Sequence, residues 1–146
     1  MAPRRLTRVP VSLPLSILIV EAHDGMRAAL RDWLLTSFPP LRLREARNMD
    51  EALSHAEQAP PDLVIVDFEL PGSNGIEFAR TLRRRLPACE VVLMSVHESE
   101  ALRIAALEAG ASAYIAQREL PVSLSPIVHR LFKNEPLSPK TDIRPI

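Results

Sequence analysis

Polar side chains close three apolar runs in this sequence. Glu21 follows Ile17-Leu18-Ile19-Val20, Asp67 follows Leu63-Val64-Ile65-Val66, and Ser95 follows Val91-Val92-Leu93-Met94. Unbroken apolar runs of this kind fit strands covered on both faces, and the carboxyl ends of parallel strands are where open α/β sheets bind ligands. Neighbouring strand ends then bring together an acid, an acid and a hydroxyl. Such oxygens suit a hard divalent ion, Mg2+ with several retained waters above all. They also suit phosphoryl transfer onto a carboxylate, because a metal offsets charge and a hydroxyl donates to a phosphoryl oxygen. Asp67 leads, since an acid placed directly after apolar strand residues is otherwise costly there. Asp24, just ahead of a helical pattern, is expected to be a helix cap.

The elements that must hold these groups alternate along the chain. Residues 17–20 are the first strand, and a helix capped by Asp24 follows, with Met26, Leu30, Trp33 and Leu34 on one face and Pro39-Pro40 as its stop. Residues 41–46 alternate like a sheet-edge strand, and Asp50 is expected to cap a short helix ending at Pro60-Pro61. Strand 63–67, helix 75–86, strand 91–95, helix 99–109 closed by Gly110, strand 114–116 and helix 123–133 complete the series. Strands alternating with helices in this way predict an α/β fold, a doubly wound five-stranded parallel sheet in the flavodoxin-like order. Outside this unit, residues 1–14 are expected to be a flexible basic arm and residues 134–146 a proline-containing tail.

Bulk composition excludes several function classes. At 146 residues one core is expected. The 18 basic and 18 acidic residues balance, so no global field draws the protein to nucleic acid or anionic membrane. The single cysteine, Cys89, cannot form an internal disulfide and fits a reducing cytoplasm. Arg4, Arg5 and Arg8 ahead of an apolar stretch imitate a secretory signal, but Pro10 and Pro14 interrupt it and no cleavage site follows. No run is long enough to cross a bilayer.

Other motifs carry less. His23, His55, His97 and His129 lack ligand-spaced partners, and His23 is expected at a helix start rather than as a tuner of the acids. Arg83-Arg84-Arg85 ends a helix and is expected to be a solvated face favoured by the helix dipole rather than a nucleic-acid contact. Gly72 and Gly75 belong to a turn, not to a dinucleotide or P-loop fingerprint. Glu69, two residues after Asp67, matches the second acid of an aspartyl-phosphate hydrolase of the haloacid-dehalogenase type, but the chain lacks room for a substrate cap.

In combination, Ile17-Leu18-Ile19-Val20-Glu21, Pro61-Asp62-Leu63-Val64-Ile65-Val66-Asp67 with Leu70-Pro71-Gly72-Ser73-Asn74-Gly75, Val92-Leu93-Met94-Ser95 and Glu108-Ala109-Gly110-Ala111-Ser112-Ala113-Tyr114 resemble the receiver domain of bacterial two-component response regulators, across residues 15–133. The resemblance implies that Asp67 accepts a phosphoryl group from the histidine of a sensor kinase or phosphotransfer protein. It implies Mg2+ held by Glu21, Asp67 and the backbone carbonyl of Glu69. Ser95 would be the hydroxyl that follows the phosphate, Tyr114 the aromatic switch, and the surface of the fourth helix, fifth strand and last helix the contact to a downstream protein target.

The sequence departs from the family at key positions. Where the family has a pair of acids after the first strand, this chain has Glu21-Ala22, and where it has a lysine after the fifth strand, Gln117 stands. Each loss is worth on the order of ten- to a thousandfold in rate at a desolvated site. Asp24 or Glu21 reaching the ion, or Arg118 replacing the cation, would be the available compensations, although Arg118 sits at a strand end pointing elsewhere. The expectation is therefore a stand-alone single-domain response regulator in a phosphorelay, cytoplasmic, with no independent enzymatic output and no direct DNA or membrane binding; a homodimer is left open. The alternative is a phosphorylation-independent receiver-like binding module with an eroded metal and phosphate site.

Overall fold

Apolar and alternating segments build parallel strands β1 (Leu15–Val20), β2 (Leu41–Ala46), β3 (Leu63–Asp67), β4 (Glu90–Ser95) and β5 (Ala113–Ala116), ordered β2-β1-β3-β4-β5. Helices α1 (Asp24–Ser37), α2 (Met49–Gln58), α3 (Gly75–Arg85), α4 (Glu100–Glu108) and α5 (Leu120–Phe132) connect them, the last after a short 3-10 turn at Gln117–Glu119. This is the flavodoxin-like arrangement expected from the sequence. The computed structural model describes residues 14–133, so the expected arm (Pro14 apart) and tail lie outside the described residues.

Successive strand side chains point to opposite faces, which divides each apolar run between two cores. Ile17, Ile19, Ile65, Val92 and Met94 pack under Leu30 and Leu34 of α1 and Leu124 and Val128 of α5. On the other face Leu18, Val20, Val64, Val66, Val91 and Leu93 pack with Phe78 and Leu82 of α3 and Ala106 of α4. Each fully buried large aliphatic contributes about 1.5–3 kcal/mol. β2 is an edge strand: Arg42 is exposed, Leu41 and Leu43 are half-buried, and only Ala46 is fully inside. Register fixes the site. β1 runs beside β3 up to Val20↔Val66, and β3 beside β4 up to Asp67↔Met94, so Glu21, Asp67 and Ser95 leave the sheet at one edge.

Several local expectations need correction. Asp24 does not cap α1; the cap is His23, whose extended backbone (φ −82, ψ 116) lets its ring accept the Met26 N–H, while Asp24 is already inside the first turn. Asp50 likewise lies inside α2, and Asn48 caps that helix by accepting from the Glu51 amide. β1 begins before Ile17 because Asp62 pairs with Ser16, its carboxylate accepting the Ser16 amide at 2.9 Å. α5 begins at Leu120, not at Ser123, since Pro121 falls in the first turn, where a missing N–H costs nothing. Gly110 ends α4 as expected, with φ 106.

Candidate functional site

Asp67 is the last residue of β3 and is half-buried. Its Oδ1 accepts the Glu69 amide at 2.9 Å, and the next peptide continues the sheet through Phe68 N–H to the Met94 carbonyl at 2.8 Å. The loop that follows is closed on itself: Gly75 N–H donates to the Phe68 carbonyl at 3.2 Å, and Asn74 caps α3 through the Ile76 amide at 2.8 Å. A side chain at Gly75 would lie 2.7 Å from Phe68 Cα, so only glycine allows that closure.

Glu21, one residue past β1, is only 2% exposed. Its Oε2 accepts the His23 amide at 2.8 Å, whereas Oε1 is buried with no hydrogen-bond partner. Burial is the main force that raises its pKa from 4.5 to about 7, and the adjoining Asp67 carboxyl adds to it; the His23 amide and the Arg27 charge pull the other way. A buried acid beside a second acid, with a lone pair unmet, lacks positive charge. Arg27 does not supply it to the carboxylate: its guanidinium donates to the Glu21 main-chain carbonyl, Asp24 and Glu45.

Ser95 is fully buried, and its Oγ accepts the His97 amide at 3.0 Å. Tyr114, paired with Leu93 across the strands, is 5% exposed, and its hydroxyl donates to the His97 carbonyl at 3.2 Å. The ring therefore lies in the sheet core and the hydroxyl has a protein acceptor. Gln117 stands farther round the edge and helps to line an open cleft of about 340 Å³ with Met26, Val96, Ala116 and Arg118.

Two of the compensations suggested by sequence, Asp24 and Arg118, are engaged elsewhere. Asp24 is held by Arg27 at 2.7 Å with Arg47 at 3.7 Å, and these charges keep its carboxyl below the usual range. Arg118 makes an ion pair with Glu98. Ala22 packs against the core on the α3 side. Among the described residues, no set of three or more His, Cys, Asp or Glu side chains converges as a metal cage. The donors nevertheless fit Mg2+ in its ordinary protein form, in which one or two carboxylates bind and several waters are retained. The unmet Oε1 of Glu21 beside Asp67 is the observation that supports the fit.

Sequence reasoning missed one contact. His97 Nε2 lies 2.6 Å from Glu69 Oε2, bridging the loops that follow β3 and β4. The signal was available in the offsets: Glu69 is two residues beyond Asp67, His97 two beyond Ser95, on adjacent parallel strands. His23 serves as a helix start, as expected. Of the arginine run, Arg83 and Arg85 are tied to Glu90 and Glu57.

Comparison with known proteins places this fold. The response regulator receiver domain model matches residues 17–128. The chain is 37% identical over 117 residues to the transcriptional activator protein ExaE of Pseudomonas putida, covering 80% of this chain and 55% of that one. It is 38% identical over 102 residues to the KDP operon transcriptional regulatory protein KdpE of Escherichia coli, covering 70% and 44%. The chain thus spans about half the length of the curated relatives it matches. A crystal structure of a LuxR-family two-component response regulator from Aurantimonas superposes with a TM-score of 0.75 at 28% identity, over 84% of this chain and 88% of that one.

Proposed function

The chain belongs to the response regulator receiver domain family, and we propose that it works through phosphorylation of Asp67, with residues 15–133 as the receiver unit. A donor histidine, on a sensor kinase or phosphotransfer protein, presents its phosphoryl group at the carboxyl edge of the sheet. An Asp67 oxygen attacks phosphorus as the P–N bond breaks, and the histidine leaves with the electron pair. Because Oδ1 is engaged by the Glu69 amide, Oδ2 is the nucleophile. Ser95 Oγ donates its hydrogen to a phosphoryl oxygen, and Glu21 and Asp67, with the Glu69 carbonyl, would hold Mg2+. The metal, when bound, supplies the positive charge that Gln117 does not. The output is a protein contact, made by the α4-β5-α5 surface; location in the cytoplasm follows from the same assignment. Among the described residues no helix is long and apolar enough to cross a membrane.

The observation that carries this proposal is the buried Glu21 carboxylate, one oxygen unpartnered, beside Asp67. Acetyl phosphate with Mg2+ should add one phosphoryl mass to the intact protein and none to Asp67→Asn. Unchanged mass in the wild type, with Asp67→Asn behaving normally in cells, would favour the second reading, a phosphorylation-independent binding module. That reading draws on the ion pairing of Arg118 with Glu98, which leaves the phosphoryl position without a lysine-like cation.

A further inference from the structure

His97 joins the ends of three strands. Its amide donates to Ser95 Oγ at the end of β4, its carbonyl accepts from Tyr114 on β5, and its ring reaches Glu69 in the loop after β3. Glu69 in turn holds Asp67 Oδ1 through its own amide. A carboxylate can only accept, so the imidazole presents Nε2–H to Glu69 and the contact needs no charge on the ring.

We infer that the Glu69–His97 side-chain pair is a positioning clasp, which draws the β3 loop against the β4 loop and so keeps the Tyr114 ring seated in the core with no group attached to Asp67. The connection is geometric. Glu69 sits on a loop stapled at Gly75 to Phe68, so it is a fixed post rather than a loose tail. His97 lies on the segment between β4 and α4, where Val96 is 60% exposed. Without its ring contact, the His97 carbonyl that receives the Tyr114 hydroxyl is free to drift with that segment. Glu69 and His97 are thereby positioning residues, acting on Asp67 and Tyr114 through backbone groups. The inference goes beyond phosphoryl transfer and holds whether or not Asp67 is ever modified.

The test uses the fact that the chain has one tyrosine. Ring-labelled tyrosine gives a single set of NMR signals, and a soluble gadolinium chelate reports how far the ring is shielded; no phosphoryl donor or Mg2+ is present. His97→Ala and Glu69→Ala should each raise the relaxation caused by the chelate about two- to fivefold, the range that the loss of one exposed pair allows. Glu69→Gln, which keeps an oxygen to accept Nε2–H, should stay near wild type. Equal shielding in wild type and both alanine variants would overturn the clasp, as would a response to His97→Ala that Glu69→Ala does not share. Failure of Asp67 to take up phosphate would leave these readings untouched.

Discussion

Two buried glutamates sit at opposite ends of the sheet and are treated in opposite ways. Glu90, where β4 begins, receives the Ser112 hydroxyl at 2.5 Å and lies 3.9 Å from the Arg83 guanidinium. Ser112 Oγ also accepts the Val91 amide at 3.3 Å, so the polar groups are knitted into the core. Glu21, where β1 ends, has one oxygen satisfied and the other bare, with Asp67 beside it rather than a base. The residue type is the same, but the environment differs. A glutamate tied into the fold is given donors, whereas Glu21 is left with a buried oxygen that no donor meets.

That contrast can be attacked first through pH. Glu21 is held near 7 when folded against 4.5 when free, so between these values the folded protein keeps a proton that the unfolded chain releases. Stability in chelator should therefore fall as pH rises across this window, by on the order of 3 kcal/mol, and level off above it. Urea denaturation of wild type and Glu21→Gln measures this: the variant should lose the slope and be the more stable protein at pH 8. A slope that survives in Glu21→Gln would place its origin elsewhere. At the other end the sign reverses, and Glu90→Ala should cost about 2 kcal/mol by stranding the Ser112 hydroxyl. Denaturation of that variant with no loss of stability would show that the network is decorative. The smallest effect concerns the missing acid. Ala22→Asp should tighten Mg2+ about tenfold, as expected when a carboxylate joins a site of few ligands; equal affinities by calorimetric titration would mean that Ala22 is not the weak point.

Much of this was legible in the sequence, because apolar runs that end in an acid or hydroxyl record both the buried strand and its functional tip. The edge position of β2 was visible in Leu41 and Leu43 alternating with arginines, and the switch of side-chain period marked each helix. The caps were less legible. Asp is a favoured cap by type, but backbone conformation decides, and α1 starts on His23, which no preference table selects. The start of α2 did carry a signal, since Asn48 with Glu51 three residues on has the spacing of a capping box. The start of α5 at Leu120 rather than at Ser123 rests on proline at position 121 being an accepted first-turn residue. The engagement of Arg118 and Asp24 by other charges lay beyond sequence, because each depends on where a long side chain finds its nearest counterion.

The closure at Gly75 has a mechanical consequence. With Phe68 and Gly75 in backbone contact, the segment bearing Asp67 forms a rigid bracket bolted to the sheet rather than a spring. A load applied at the carboxylate cannot be absorbed by recoil there. It is passed sideways, to β4 and the exposed stretch beyond it.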